Sequence, residues 1–430
     1  MRVSSVIRGR LVPLLLFVGV LAVVGGVLTG VALGAASTTL STTLSTGTGL
    51  QGAPASSGSS QSGKLPSETY TLTAADLGGF GGTAPSISSP AAIVETMDTG
   101  KVLFEHDAHI HRPMASTTKI MTATLILESG EDLDTQVKVS ANAAGTWEIT
   151  KWVRAGDVLT VRQLLYAMLL KSANGAAVAL AEHNAGSVSA FAVKMNQKAQ
   201  GLGMKDSHFV TPNGLDAQGH YSTAADMALL ARYAMKNATF RSFVQTKQYT
   251  LTIKGHAPLV IHNTNTLLTE YSWVNGVKTG STPNGDYCLV SSGVKNGRAV
   301  ICVVLGSPDS DKRFTDSAAL LQFGLNQFRT VELIDKGATC AQATVPYHAD
   351  GKLELITDGS LSTEISADET ITTTVTIDKP LRLPVKAGDI YGYVVAKAGG
   401  VEVGRVNLVA TKSFSGVTLG TKFAYFWHHL

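Results

Sequence analysis

The chain has 430 residues, 44% of them hydrophobic and 16% charged, with a formal net charge of +3. That length allows two domains and a substantial core, and a charge balance this even offers no footing for nucleic acid. The cysteines, Cys288, Cys302 and Cys340, are too few for a disulfide framework.

Arg2, Arg8 and Arg10 precede an uncharged apolar run from Leu11 to Leu33, and no further charge comes until Lys64. A run of that length can span a bilayer with some tilt, and the positive charge before it keeps the N-terminus cytoplasmic. Ala32-Leu-Gly-Ala-Ala36 is compatible with cleavage, so residues 1–36 are a signal peptide or a signal anchor. Export follows in either case. No cysteine stands directly after the run to carry a lipid. Residues 37–84, rich in Ser, Thr and Gly, read as a flexible tether.

Ala91–Met97 reads as a strand, Asp98-Thr-Gly100 as a turn and Lys101–Glu105 as the returning strand of a hairpin. A helix is expected after Pro113, with Ile120, Met121, Leu125, Ile126 and Leu127 at helical spacing. Ser116 and Lys119, three apart, share one face of it. The N-terminal dipole favours negative charge developing near the serine. The lysine acts as a base only if desolvation or a neighbouring cation lowers its pKa from about 10.4. Such a pair is an activated nucleophile without histidine. Taken alone, Ser-x-x-Lys is also a plain helix start with a solvated lysine.

Leu159–Leu170 is a second helix that stops at Lys171-Ser-Ala-Asn-Gly175, and Ala176–Glu182 begins another. Ser172 and Asn174 then sit on a short, rigid connection, where helix capping is the competing role. A helix over Phe191–Leu202, a loop over Asp206–Asp216 and a helix from Tyr221-Ser-Thr-Ala-Ala-Asp226 through Met235 follow. His220 reads as an exposed loop histidine rather than a ligand or base. Val274–Gly280, Gly285–Ser292 and Ala299–Gly306 are strands, with Asn296-Gly297 as a two-residue hairpin turn. That turn sets Cys302 opposite Ser291 and Cys288 on the other face, which excludes a disulfide between them. Lys278-Thr279-Gly280 places a cation, a hydroxyl and a glycine on an edge strand where a ligand can lie against the backbone.

Ser116-x-x-Lys119, Ser172-x-Asn174 and Lys278-Thr279-Gly280, in this order, resemble the motif set of penicillin-binding proteins and serine β-lactamases. Met114–Ala123, Ser172–Ala177, Asp216–Asp226 and His262–Leu268 narrow the resemblance to low-molecular-mass D-alanyl-D-alanine carboxypeptidases, over about residues 85–412. Gly175 stands where many relatives carry aspartate, and residues 145–155 depart from the usual cleft rim. The resemblance implies an α+β fold: a β-lactamase/transpeptidase-like helical subdomain on a five-stranded antiparallel sheet, at 85–330, then a small all-β domain at 331–412. It implies no cofactor and no metal. Ser116 would attack the penultimate D-alanine carbonyl, Lys119 would take its proton, and Ser172 would relay it to the leaving D-alanine. Asn174 would hold the substrate amide and Lys119. Backbone N–H groups of Ser116 and Ser281 would form the oxyanion hole, and Lys278, Thr279 and Arg313 would read the terminal carboxylate. A surface salt bridge is the alternative for Arg313. The partners implied are the peptidoglycan stem peptide and β-lactam antibiotics as covalent inhibitors, at the outer face of the bacterial cell membrane.

The strands of 331–412 (Leu353–Ile356, Thr372–Ile377, Tyr391–Val395, Val401–Val406) read as a small all-β domain. Leu383–Gly392 resembles the C-terminal domain of the same carboxypeptidases, and that resemblance implies no chemistry there and a spacer or partner-docking role. In 413–430, Phe423, Tyr425, Phe426 and Trp427 suit a membrane interface, with a strand end packed on the β domain as the alternative. A D,D-endopeptidase, a β-lactamase and a non-catalytic β-lactam- or peptidoglycan-binding protein are the competing functions. No Glu-x-x-x-Asn segment stands out between Asn174 and Lys278 to activate a deacylating water, which counts against the β-lactamase.

Overall fold

The computed structural model describes residues 40–42, 67–73, 75–77, 79–147, 153–345, 347–348 and 351–428. The expected signal or anchor at 1–36 and most of the expected tether lie outside them. Among the described residues no helix is long and apolar enough to cross a membrane.

The first layer is a five-stranded antiparallel sheet in the order Val102–His106, Ala91–Thr96, Arg298–Ser307, Asp286–Lys295, Val274–Thr282. Its inner strands are covered on both faces, and so read as nearly continuous apolar runs. Ala92, Val94, Leu289 and Cys302 pack against Leu320 and Leu321 of the helix Ser310–Asn326. Ile93, Val290, Ile301 and Val303 face the opposite, helical layer. Asn296 and Gly297 both have positive φ, as a type I′ hairpin turn demands. The register sets Lys295 opposite Arg298 and Ser291 opposite Cys302, and all three cysteines are free.

At the centre of the helical layer runs Asn174–Ala185, whose Ala176, Ala177, Ala179 and Ala181 are buried. Such small side chains let neighbouring helices approach closely. This helix begins two residues earlier than its apolar pattern suggests, so Asn174 opens the helix instead of lying on the connection. Leu159 belongs to a short strand, Val158–Thr160, and the following helix is Val161–Leu170. Thr160 and Gln163 form a capping box there, a start signal that apolar periodicity hides.

The all-β region is a seven-stranded sheet, with Phe328–Ile334 and Leu361–Ser366 as a separate pair. One edge strand corrects the expectation for 37–84. Ser67–Leu72 is not loose chain; it pairs antiparallel with Ile371–Ile377 and buries Tyr70 and Leu72. Thr69 and Thr374 hydroxyls meet at 3.0 Å across the pair, and Leu40–Thr42 pairs with the opposite edge. Arg298 ties the two regions together. It donates to Glu364 at 2.8 Å and Asp98 at 3.0 Å, with its guanidinium 4.7 Å above the Phe328 ring. Lys101 pairs with Asp368 at 2.7 Å.

Phe414 bridges to Val385 and packs on the β core, and the chain then forms a helix, Leu419–His428. Leu419, Phe423 and Trp427, four apart and hence on one face, are 87%, 73% and 75% exposed.

Candidate active site

Ser116 lies in a single 3₁₀ turn, Ala115–Thr118, that runs directly into the helix Lys119–Glu128. The residue before it, Ala115, has φ +49°, a left-handed conformation unusual for a residue with a Cβ. The turn therefore presents Ser116, half-buried, at the mouth of the helix. Lys119, fully buried one turn on, donates to Ser116 Oγ at 2.8 Å, Asn174 Oδ1 at 2.7 Å and the Asn213 carbonyl at 2.5 Å. Ser116 Oγ itself reaches the Asn213 carbonyl at 3.4 Å.

The competing role of helix capping is answered by what Ser172 and Asn174 do. The cap position belongs to Ala173, with no side-chain cap bond. Asn174 turns inward instead, holding Lys119 through Oδ1 and donating Nδ2 to the Trp147 carbonyl at 2.8 Å. Ser172 sits on the connection with φ +64°. Its half-buried hydroxyl makes no hydrogen bond to Ser116 or Lys119 among the described residues. The structure brings Ser116, Lys119 and Asn174 into one network and leaves Ser172 beside it.

The opposite wall is the edge strand Val274–Thr282. Gly280 allows a close approach there: a Cβ would crowd the turn, standing 3.0 Å from Ser116 N and 3.1 Å from both Ala115 Cβ and Thr117 N. Strand and nucleophile turn thus touch backbone to backbone, which brings the turn up to Ser281, exposed at the rim. Thr279 Oγ1 bonds Thr264 Oγ1 at 2.6 Å. Lys278 is fully buried and donates to the Thr279 carbonyl at 2.8 Å. Burial, followed by the charge of Arg313, pushes its ammonium down to about 7. Arg313 donates to the Gly280 carbonyl at 2.9 Å and lies 4.7 Å from the Phe314 ring centre and 5.3 Å from that of Tyr287. Its Nε is buried without a partner. Among the described residues neither cation is in a salt bridge, so the surface-pair alternative for Arg313 does not hold. Two desolvated cations without a carboxylate form a receptor for an anion. Beside Ser281 opens a cleft of ≈ 570 Å³ lined by Trp147, Leu215, Asp216, Thr282 and Tyr287 among others.

Sequence reasoning missed the loop that closes this site from below. Asn213 contributes only its carbonyl, and a backbone acceptor has no residue signature. Gly214, at φ +84°, is pressed so close that a Cβ would lie 2.0 Å from the Ala115 carbonyl oxygen. Asp216 accepts from Thr282 Oγ1 at 2.7 Å and Asn284 N at 3.1 Å, fastening the loop to the edge-strand hairpin. His220 is a correction: it is 7% exposed, not an exposed loop histidine. It is hydrogen-bonded to Thr118 Oγ1 at 2.9 Å. Burial first, then the charge of His208, push its imidazolium down to about 4; Asp216 pulls the other way, and Lys119 adds the least.

Comparison with known proteins agrees with this architecture. Residues 79–309 match the family described as D-alanyl-D-alanine carboxypeptidase, and 328–415 match the C-terminal domain of penicillin-binding protein 5. The chain is 32% identical to D-alanyl-D-alanine carboxypeptidase DacF of Bacillus subtilis, across 72% of this chain and 82% of that one. It is 38% identical to the D-alanyl-D-alanine carboxypeptidase of Streptomyces sp. K15, across 59% and 94%. Among solved structures, DacD of Francisella tularensis superposes with a TM-score of 0.56 at 28% identity, covering 78% of this chain and 95% of that one. The Streptomyces K15 DD-transpeptidase gives 0.54 at 36% identity, covering 57% and 99%. A matched family over more than half the chain, joined to the Ser116–Lys119–Asn174 network against the Lys278 strand, places this protein in the D-alanyl-D-alanine carboxypeptidase family of low-mass penicillin-binding proteins.

Proposed function

We propose that Ser116 is the nucleophile of a serine D-alanyl-D-alanine carboxypeptidase that trims peptidoglycan stem pentapeptides and is acylated by β-lactams. With Lys119 as the neutral amine, keeping its two N–H bonds to Asn174 Oδ1 and the Asn213 carbonyl, its lone pair takes the Ser116 hydroxyl proton as Oγ attacks the penultimate D-alanine carbonyl. Asn174 holds Lys119 in place. The tetrahedral oxyanion meets the N–H groups of Ser116 and Ser281, each such donor being worth about 3 kcal/mol. The C–N bond then breaks, and the proton returns through Ser172 to the departing D-alanine amine. Water, deprotonated by Lys119, adds to the acyl carbon, and Ser116 leaves as the hydroxyl.

The observation that carries this reading is the couple Lys278 and Arg313, bonded to backbone carbonyls and, among the described residues, to no carboxylate, beside Gly280, the glycine that touches the nucleophile turn. A substrate with a C-terminal carboxylate fits there, with Thr279 beside it, and a β-lactam presents the same anion. A division just before the strand Phe328–Ile334, rather than at 330/331, suits a catalytic unit with a separate β domain to which Ser67–Leu72 also belongs. The basic start and apolar run of 1–36, together with the exposed Leu419–Phe423–Trp427 face, support a site outside the cell membrane with attachment at either end. Peptides ending in D-Ala-D-Ala as free acid and as amide test the reading. The acid should release D-alanine at least about a hundredfold faster; equal rates contradict it. The similar Streptomyces K15 protein is a DD-transpeptidase, so an amine replacing water is the second reading. An added amino-acid acceptor that diverts product from hydrolysis would favour it.

A further inference from the structure

The buried His220 is left over from the chemistry above, yet every polar atom it has is committed. Val210 N–H donates to its Nδ1 at 2.9 Å, and Thr211 N–H approaches the same atom at 3.4 Å. Nδ1 is therefore the acceptor, and in the neutral ring the proton must sit on Nε2. Nε2–H then donates to Thr118 Oγ1 at 2.9 Å, and the Thr118 hydroxyl donates in turn to the Ala115 carbonyl at 2.8 Å. Direction is fixed at each step: Val210 to His220 to Thr118 to Ala115.

The end of that chain is the residue whose left-handed φ sets the pose of Ser116. A non-glycine residue holds such a conformation only when its surroundings over-determine it. Here the Ala115 carbonyl is held by Thr118 and roofed by Gly214, whose missing Cβ would fall 2.0 Å from that oxygen and 2.9 Å from Thr118 Oγ1. His220 also grips the start of the strip Val210–Gly214, and that strip delivers the Asn213 carbonyl to Lys119. One imidazole thus sets both the turn that carries Ser116 and the loop that aims Lys119 at it. The Phe209 ring, edge-on at 6.0 Å between centres, closes the ring's apolar side.

We propose that His220 is a positioning residue for the nucleophile, locking the Ala115–Ser116 turn through Thr118 and clamping the Asn213 loop to it. It is not a general base: Nδ1 is occupied, and Nε2 meets Thr118, not Ser116. The inference rests on Ser116 being the nucleophile.

The test uses the full chain, with acylation by fluorescent penicillin, kcat and KM on a D-Ala-D-Ala peptide, and Tm. His220→Phe and Thr118→Val each remove the relay. Each should slow acylation roughly ten- to a hundredfold through kcat, with KM within about twofold, as misplacement of a reacting group does. His220→Gln and Thr118→Ser keep a donor or hydroxyl and should recover most of the rate. The double variant His220→Phe/Thr118→Val should be no slower than the worse single, since both break one chain. Full-rate acylation by Thr118→Val, losses that multiply in the double variant, or losses confined to KM would overturn the proposal. Should His220→Phe fail to fold, Thr118→Val and the two conservative variants decide the matter. A wild-type chain not acylated on Ser116 would instead sink the function itself.

Discussion

The two halves of the molecule fill their interiors differently. The β domain buries Tyr70, Leu72, Val375, Val394, Leu408 and their neighbours, with few polar exceptions such as Thr357 and Thr373. Around Ser116 the interior instead holds Thr117, Thr118, Lys119, Asn174, Asn213, His220, Lys278 and Thr279. Burying such groups costs free energy unless each is partnered, and most of these partner one another. A fold needs no such arrangement. The lesson is that polar burial without an evident structural return marks the place where chemistry is done, and the β domain lacks that mark.

The contrast can be broken most severely at its polar end. Ser116→Ala should remove β-lactam labelling and peptide cleavage by on the order of a thousandfold or more, while a circular-dichroism melt shows the chain still folded. Next is Lys278→Ala, which should lower acylation about a hundredfold for carboxylate-bearing ligands. Burial pushes its ammonium down to about 7, and a carboxylate bound beside it would favour the charged form. Ligand affinity should therefore fall as pH rises above about 7, and binding should take up a proton, which calorimetry in two buffers would detect.

The apolar end answers differently. Leu408→Ala, at a fully buried site of the β domain, should cost about 3 kcal/mol of that domain's stability. Acylation by penicillin should stay at the wild-type rate; a parallel loss of rate would mean the halves are not functionally separate. Stability should also depend on pH through His220, whose folded value of about 4 lies below its ordinary 6.5. The unfolded chain binds the extra proton, so the contribution is complete above 6.5 and is lost as pH falls toward 4. Its size is on the order of 3 kcal/mol. His220→Gln should flatten the acid limb of a denaturation midpoint plotted against pH. The smallest effect concerns the seam. Arg298→Ala, losing Glu364, Asp98 and the face of Phe328, should cost about 1 to 2 kcal/mol and loosen the docking of the two halves, read by limited proteolysis.

How much of this was legible in the residues depended on whether side chain or backbone carries the role. Ser116, Lys119, Asn174 and Lys278 act through side chains at short, ordered spacings, and the Asn296-Gly297 turn imposes its register by φ alone. Asn213 contributes a carbonyl, which any residue possesses, and the only signal of a close approach available in the residues is the glycine that follows it, Gly214. His220 was misread because polar loop composition suggests exposure, whereas the loop folds back beneath the nucleophile turn. Ser67–Leu72 was overlooked because low-complexity chain precedes it, although Thr-Tyr-Thr-Leu has clear strand propensity and alternates toward the β core. The cap role of Ala173 was equally hidden, since Ser172 and Asn174 are far better capping residues by type.

The central claim is that the buried Lys119 network makes Ser116 the one reactive nucleophile in the cleft. Mass spectrometry of protease fragments after brief exposure to a penicillin tests it most directly. The account predicts a single acyl adduct on the fragment bearing Ser116, absent in Lys119→Ala at the same exposure. An adduct on Ser172 or another serine, or unimpaired labelling of Ser116 without Lys119, would contradict it.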